Sequence, residues 1–195
     1  MPRPSQFSHD QLIQAALHLV ADHGPTAATI GAIAGRVGAP VGSIYHRFAS
    51  RDALLAEAWL WAADIFRAGF LELLAGEDAD AAGLGAALYT VHWARLYPVE
   101  ARVLLLHPRK SLTEGEWPEA LAERAEQGDR QLAEGLKAFA KRRFGRATDD
   151  GVERVTLAVL DVPAAAVRRH LDNGRKLTPA VDKVVSQAHA ALLGR

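Results

Sequence analysis

A short stretch near the N-terminus carries small, polar and basic residues whose spacing suits contact with a double-stranded polyanion. Between Asp22 and Asp52 the sequence has three arginines and no acidic residue. A phosphate group would therefore meet no negative side chain along this stretch. Gly42 would let the backbone approach a base pair closely, Ser43 can hydrogen-bond several base edges, and Val41 can contact a thymine methyl group. This chemistry predicts DNA recognition.

Contacts to the DNA backbone are expected from the same stretch. The complete candidate set for DNA binding is Thr29, Val41, Gly42, Ser43, Tyr45, His46, Arg47 and Arg51. The phenol, imidazole and guanidinium groups of this set are expected on phosphates, where contacts fix register rather than sequence. Free backbone amides at the helix starts near Thr29 and Ser50 can also receive phosphate oxygens. Tyr45 could equally be a core aromatic with its hydroxyl at the surface.

Two short helices joined by a tight turn are needed to position these side chains. Apolar residues recur at helical spacing in the first, at Ile30, Ile33, Ala34 and Val37. Gly38 suits the left-handed conformation that ends a helix, and Pro40 suits the first turn of the next one. The second helix is therefore predicted over roughly residues 40–47, with one side on the core and the other free to enter a groove.

The remaining sequence predicts an all-α chain of about nine helices. Residues 2–7 form a polar lead, and the residues from Ser8 on open the first helix with capping-box spacing. The helices after the first three are predicted at about residues 50–75, 84–97, 100–106, 117–143 and 149–170, with a last one that opens at 178. Pro163 lies inside the eighth helix, where it removes a backbone hydrogen bond and is expected to bend it.

The N-terminal quarter of the chain resembles the DNA-binding domain of TetR-type bacterial transcriptional repressors. The matching residues are Gly24, Thr29-Ile30, Ile33-Ala34, Gly38, Ile44-Tyr45-His46-Arg47-Phe48, Arg51-Asp52 and Leu54. The sequence departs from the family pattern at Pro40, where a serine cap is usual, and at Gly31 and Val41, where basic or polar residues are frequent. The resemblance implies a three-helix helix-turn-helix domain at residues 1–49, followed by an effector-binding and dimerisation domain at residues 50–195 that forms a helical bundle.

The last two predicted helices carry stripes of small apolar residues. In TetR-type proteins the final two helices pair with their symmetry mates in a four-helix bundle, so the resemblance implies a homodimer. The predicted dimer interface comprises Val155, Val159, Val162, Pro163, Val167, Val181, Val184, Val185, Ala188 and Leu192. The same stripes could instead pack inside one chain.

Aromatic residues concentrate in the fourth and fifth predicted helices. They are either filled core or the walls of an apolar cavity with a few orienting polar groups, such as His92 and Arg95. The resemblance implies a cavity, because helices 4 to 7 enclose an inducer in the family. The predicted effector pocket comprises Trp61, Ile65, Phe66, Phe70, Tyr89, His92, Trp93, Leu96, Leu136 and Phe139.

Composition narrows the remaining possibilities. The 23 basic and 23 acidic residues balance, so any electropositive surface is local. The sequence has no cysteine, which excludes disulfides and thiolate chemistry. It contains none of the common nucleophile, zinc-protease or nucleotide-binding motifs, so neither an enzyme nor a cofactor nor a metal site is expected. Without a long apolar run or a signal segment, the chain is expected in the cytoplasm and not in a membrane.

Taken together, the sequence predicts a homodimeric transcriptional regulator that binds a palindromic DNA operator. A small apolar or amphipathic effector is expected to release it, as in a ligand-responsive repressor. The competing hypothesis is an effector-independent DNA-binding or protein-interaction module whose C-terminal part has a solid helical core.

Overall fold

The computed structural model describes residues 7–113 and 115–194, and every regular element in these ranges is helical. The α-helices are α1 His9–His23, α2 Ile30–Val37, α3 Val41–Tyr45, α4 Arg51–Leu74, α5 Ala79–Leu96, α6 Pro98–Leu106, α7 Arg109–Leu112, α8 Glu119–Phe144, α9 Asp149–Thr156, α10 Val162–Asp172 and α11 Pro179–Leu193. The all-α prediction is confirmed. Two more helices are present than expected, because α7 is a single turn and the predicted eighth helix is divided into α9 and α10. Apart from Phe7, the polar lead lies outside the described residues.

Side-chain caps define where several helices begin. Ser8 and Gln11 form the expected capping box, in which the Ser8 hydroxyl accepts from the Gln11 amide at 3.1 Å. The carboxylate of Asp78 accepts from the amides of Asp80 at 2.9 Å and Ala81 at 3.2 Å. This cap starts α5 at Ala79, five residues before the predicted start, because an acidic stretch that reads as a loop also suits the positive end of a helix.

The core of the N-terminal unit extends beyond the first three helices. Apolar side chains of α1, α2 and α3 pack with the first turns of α4 in one buried cluster. Val103 of α6 and Leu112 of α7 belong to the same cluster and are almost fully buried. The helix-turn-helix unit is small, and these contacts supply part of the apolar burial that it needs.

Two further buried clusters hold the C-terminal bundle together. One joins the end of α4 to α5, α8, α9 and the end of α11, and the other joins α5 and α6 to α10 and α11. Gly69 allows α4 and α5 to approach closely, since a Cβ at that position would clash with the Tyr89 ring. The bundle therefore packs around α5, which contacts both clusters.

A π turn at Leu157–Asp161 joins α9 to α10. Its wider ring is closed by the Val162 amide, which donates to the Leu157 carbonyl five residues earlier. In an uninterrupted α-helix the Pro163 ring would meet the carbonyl of Val159, and the wider turn relieves this clash. The run from α9 to α10 therefore stays helical through one widened turn, and the bend expected at Pro163 stays a prediction.

Candidate nucleic-acid interface and ligand cavity

A glycine turn fixes the angle between α2 and α3. Gly38 adopts the left-handed conformation, with φ of 70° and ψ of 26°, and the Ala39 amide donates to the Ala34 carbonyl at 2.9 Å. Thr29 caps the start of α2, and its hydroxyl accepts a hydrogen bond from the Ala32 amide at 3.1 Å. Ile44 and Phe48 are buried and hold α3 against the core. These contacts leave the opposite side of α3 facing outward.

The outward side of α3 carries most of the side chains proposed to read DNA. Val41 is 46% exposed and Tyr45 is 56% exposed, so Tyr45 is not a core aromatic. Gly42 and His46 are also exposed, whereas Ser43 is half-buried and its hydroxyl donates to the Pro40 carbonyl at 2.7 Å. A Cβ built on Gly42 would have no atom within 4 Å, so the protein itself does not require glycine there. We name this surface, formed by Val41, Gly42, Tyr45 and His46, the α3 face.

Arg47 and Arg51, which were predicted to contact phosphates, donate to backbone carbonyls of the chain itself. Arg47 donates to the carbonyls of Ser43 at 2.8 Å and Phe7 at 2.9 Å. Arg51 donates to the Ala28 carbonyl at 3.0 Å and also to the Pro25 carbonyl. Both guanidinium groups therefore hold the N-terminal unit together, because their donors point at backbone oxygens of the chain itself.

Among the arginines of the basic stretch, Arg36 is the one with an exposed side chain. Arg51 also pairs with Asp52, whose carboxylate lies 3.0 Å from its Nη1 atom, so part of its charge is neutralised. Arg36 lies on α2 and borders the same surface depression as Asp10 and His18 of α1. The α3 face itself carries no arginine or lysine, so its positive charge is small.

A cavity of about 280 Å³ opens between the helices of the C-terminal bundle. Most of its walls are apolar or aromatic. The lining residues are Trp59, Leu60, Ala63, Phe66, Arg67, Thr90, Trp93, Leu104, Leu105, Ala125, Gly128, Asp129, Leu132, Leu160 and Ala164. These residues come from α4, α5, α6, α8, the π turn and α10, so a molecule in the cavity would touch most of the bundle. Gly128 leaves room for the guanidinium group of Arg67, because a Cβ at position 128 would overlap with that group unless the Arg67 side chain moved.

The predicted effector pocket and the observed cavity share Phe66 and Trp93. Of the other predicted residues, Phe70, Tyr89, Leu136 and Phe139 pack in or against a solid apolar cluster, Trp61 packs against the N-terminal core, and Ile65 is half-buried outside the cavity walls. His92 and Leu96 lie on the outer surface, where Leu96 is 75% exposed. Because successive residues of a helix are 100° apart, α5 turns Thr90 and Trp93 inward and His92 outward.

His92 and Arg95 form a surface clamp and do not point into the cavity. Arg95 donates to the carbonyl of Leu177 at 2.9 Å and to the carboxylate of Asp182, which also lies 2.9 Å from His92 Nε2. The hydrogen bond from Arg95 lowers the pKa of Asp182, and the same bond raises the pKa of Arg95. The clamp ties α5 to the first turn of α11, so the two polar residues expected to orient a ligand have a structural contact instead.

Other parts of the cavity carry no obvious signal in the sequence. Leu104, Leu105, Leu132 and Leu160 look like ordinary core leucines, because the sequence does not show that four helices leave a gap between them. Two residues did carry a signal. Gly128 lies inside a long helix, where glycine is unfavourable without a packing reason, and Thr90 is a polar residue on an otherwise apolar face.

The predicted dimer residues are mostly buried within one chain. Val155, Val159, Val167 and Val185 have no exposed surface, and Val181 and Pro163 are also buried. Val162, Ala188 and Leu192 are half-buried, whereas Val184 is 56% exposed. Val167, Val181 and Val185 pack against α5 and α6 in the second C-terminal cluster, whereas Val155 and Val159 pack in the first one. The surface that remains outside on these helices carries Ala165, Val184, Gln187 and Ala191.

Residues 7–113 and 115–194 contain no cluster of His, Asp and Glu side chains that could hold a metal ion. Nor does any helix in these ranges combine the length and apolarity needed to cross a membrane.

Comparison with known proteins points to one family. Residues 12–58 match the sequence profile described as "Bacterial regulatory proteins, tetR family". No curated protein matches the chain significantly by sequence. The N-terminal match confirms the resemblance drawn from the helix-turn-helix residues.

Solved structures match over nearly the whole chain. The fatty acid degradation regulator FadR from Bacillus halodurans is 18% identical with a TM-score of 0.72, and the match covers 96% of this chain and 98% of that one. FadR from Bacillus subtilis, solved in complex with stearoyl-CoA, is 14% identical with a TM-score of 0.73 over 96% and 98%. A TetR transcription regulator from Haloarcula marismortui is 20% identical with a TM-score of 0.70 over 95% of each chain. At these identities the matches establish a shared fold.

Proposed function

We propose that this TetR-type transcriptional regulator is a homodimeric repressor, which binds a palindromic operator and is released by a small, largely apolar effector. The observation that carries the proposal is the combination of two features in one chain. The α3 face presents exposed residues for DNA, none of which is acidic, and the C-terminal bundle contains a mostly apolar cavity. The competing hypothesis of a solid core has no explanation for the cavity.

DNA recognition is assigned to the α3 face. Val41 and Gly42 lie on the first turn of α3, where the residues of a recognition helix reach base edges in the major groove. Tyr45 and His46 lie at its end, close to where the phosphate backbone would pass. A dimer would place two such helices about 34–36 Å apart, or a multiple of this distance, to meet two half-sites on one side of the duplex.

The dimer is assigned to the outer surface of α10 and α11. Ala165, Val184 and Ala191 are exposed there, and small side chains allow helices from two chains to approach closely. The proposal thus keeps Val184 from the predicted interface, together with the half-buried Val162, Ala188 and Leu192. The buried valines support this surface from inside the chain.

Release by an effector requires that the cavity communicate with the DNA-binding unit. Helix α4 is one link, because it contributes side chains to the N-terminal core and to the cavity walls, and the contacts of α6 add a second one. Leu104 and Leu105 of α6 line the cavity, while Val103 packs in the N-terminal core. Arg102 of the same helix donates to the Ala21 carbonyl at the end of α1, at 3.0 Å.

The end of α6 is also fixed to α4. Trp59, a cavity residue, donates from its indole N–H to the His107 carbonyl at 3.3 Å. His107 is half-buried near Gly24, and its burial, followed by the charge of Arg102, lowers its pKa. An effector that prefers another position of α4 and α6 would change the distance between the two α3 faces and so weaken DNA binding by linkage.

The cavity volume bears on the size of the effector. The Bacillus subtilis relative was solved with stearoyl-CoA, whose acyl chain alone has eighteen carbons. A cavity of about 280 Å³ has the volume of roughly nine water molecules, each of which takes up ~30 Å³ in the liquid. The effector proposed for this chain is therefore smaller than that acyl chain.

Selection of operator DNA from random duplexes by the purified chain tests the proposal. We expect enrichment of a palindrome, with Tyr45→Ala weakening binding to it by about 5- to 150-fold, in line with a lost contact of roughly 1–3 kcal/mol. Tyr97→Ala is the matched control, since Tyr97 is 41% exposed but belongs to the C-terminal part of the chain. A monomeric chain in sedimentation, or the absence of duplex preference at low ionic strength, would refute the proposal.

A further inference from the structure

Two buried polar atoms in the residues that line the cavity have no hydrogen-bond partner among the described residues. They are the hydroxyl oxygen of Thr90 and the indole nitrogen of Trp93. Thr90 is 2% exposed and Trp93 is 4% exposed, and neither polar atom is accessible to water from the cavity, so a ligand oxygen reaches them only when these side chains turn towards it. Buried polar groups in folded proteins are nearly always paired, and an unpaired one calls for an explanation.

The two residues form one patch on the cavity wall. They are three positions apart on α5, so their side chains are neighbours on the same helix face. The Trp93 ring is held edge-on against Phe66, with ring centroids 5.1 Å apart, and it also contacts Tyr97. Packing thus holds the indole close to one orientation, so binding of a ligand oxygen requires a small shift of this ring, whereas Thr90 can move its hydroxyl between staggered positions.

The chemistry of the patch restricts a partner. An indole N–H is a donor only, whereas a threonine hydroxyl can donate or accept. A group that satisfies both must offer an acceptor oxygen, which a carbonyl or a hydroxyl provides. The rest of the wall near this patch consists of aromatic and aliphatic side chains, so the body of the ligand must be apolar.

The charged residues of the cavity wall already have partners of opposite sign. Arg67 is bonded to Asp64, and Asp129 lies 3.2 Å from Arg109. A charged ligand would have to compete with these pairs and would lose its own hydration on entry. An uncharged ligand meets neither cost.

We infer that the cavity takes an uncharged, largely apolar molecule of about nine non-hydrogen atoms, whose single carbonyl or hydroxyl oxygen is bound by Thr90 and Trp93. This inference rests on the proposed function, since it names the class of effector for the same cavity. It also gives a role to the polar atoms that a threonine and a tryptophan bring to a wall otherwise formed mostly by apolar side chains.

Three probes of nearly equal size separate the possibilities. Acetophenone has the aromatic body and a carbonyl oxygen, isopropylbenzene has the same shape without an acceptor, and benzoate carries a charge. Calorimetry on the full chain should show acetophenone binding about 3- to 10-fold more tightly than isopropylbenzene, as one or two hydrogen bonds allow. Benzoate should bind more weakly than acetophenone.

Variants assign the preference to the two residues. Thr90→Val removes one polar atom with little change in shape, and Trp93→Phe removes the indole N–H but also shortens the ring system. Isopropylbenzene affinity in each variant is therefore the reference for the change in cavity size, and the preference for acetophenone over isopropylbenzene should shrink towards 1 while isopropylbenzene still binds. Trp61→Phe and Thr156→Val are the matched controls, because both residues lie outside the cavity walls. Retained binding of isopropylbenzene shows that the variants are folded and that the cavity is intact.

The inference is overturned by any of four results. These are equal affinity for acetophenone and isopropylbenzene, as expected if ordered water satisfied the patch, tighter binding of benzoate, no binding of any probe, or an unchanged preference in both variants. Operator binding by the same preparations separates this outcome from failure of the proposed function. A chain that binds its operator but not acetophenone refutes the ligand class alone, whereas one that binds acetophenone but no duplex refutes the regulator.

Discussion

Substituting Gly42 by alanine should separate the stability of the chain from its affinity for DNA. Gly42 lies on the first turn of α3, is exposed, and has a negative φ that alanine can adopt. A Cβ at this position would meet no protein atom within 4 Å. The protein thus gives no reason for glycine, and close approach of DNA to the helix backbone is the proposed one.

The two effects have opposite signs. Replacing a helical glycine by alanine stabilises a fold by about 0.5–1 kcal/mol, because alanine loses less backbone freedom on folding. For a chain of 150–250 residues this raises Tm by roughly 1–4 °C. If the methyl group displaces α3 from the base edges, the cost is that of a lost base contact, about 1–3 kcal/mol, or about 5- to 150-fold in affinity for the operator.

Thermal unfolding and a titration of the selected operator at fixed salt measure both quantities. Gly85→Ala is the matched control, since Gly85 is also helical and a Cβ there would lie 4.0 Å from a Leu73 methyl group, far along the chain from α3. It should raise Tm similarly and leave operator affinity unchanged. Undiminished operator binding by Gly42→Ala would show that the α3 backbone does not approach the bases, and a lower Tm would refute the argument from open space.

Three further predictions concern other parts of the chain. Val184→Glu, at an exposed position of α11, should shift the protein from dimer to monomer in sedimentation, and an intact dimer would exclude this surface. Asp182→Asn should lower the free energy of unfolding by up to about 1 kcal/mol at pH 7. Because the pKa of Asp182 is lowered in the folded chain, this difference should fade as pH drops below about 4, and a difference independent of pH in urea titrations would contradict the clamp. Arg51→Met should cost about 1–3 kcal/mol of stability, since Arg51 bonds to backbone carbonyls, and should leave the salt dependence of operator binding unchanged. A weaker salt dependence of operator binding in Arg51→Met would show that Arg51 contacts a phosphate after all.

Local signals in the sequence account for what was predicted well. The turn at Gly38 and the buried Ile44 and Phe48 follow from a left-handed glycine and from apolar spacing, both of which act over a few residues. The helix-turn-helix was therefore readable without the rest of the chain. Helical spacing places Val41 and Tyr45 on the same apolar stripe as Ile44 and Phe48, yet both are exposed in the structure, so spacing alone did not predict which way they face.

Long side chains were harder to place because their partners are distant in sequence. Arg47 and Arg51 look like phosphate ligands when only their charge and position are considered. Their acceptors are the carbonyls of Phe7, 40 residues from Arg47, and Ala28, 23 residues from Arg51. No periodicity reports such contacts, and an arginine that serves the fold has the same sequence signature as one that serves DNA.

The cavity and the dimer surface depend on how helices are arranged. The aromatic residues of α4 and α5 indicated apolar surroundings, but of the aromatic residues on these two helices only Trp59, Phe66 and Trp93 border the cavity. Similarly, a stripe of valines can pack against its own chain or against a partner. Val185 and Val184 are adjacent, yet one is fully buried and the other is 56% exposed. The sequence pattern alone cannot tell which of two adjacent valines is buried, because burial depends on how each helix is oriented relative to α5.

The shared N-terminal core has a consequence for engineering. Val103 of α6 and Leu112 of α7 are packed among the side chains of α1 to α4, although both lie more than fifty residues beyond the end of the helix-turn-helix. A chimera that exchanges only residues 1–49 for those of another regulator would set a foreign α1 against these two side chains. To transfer operator specificity, the positions of Val103 and Leu112 should therefore be exchanged together with residues 1–49. The alternative is to change only the residues of the α3 face.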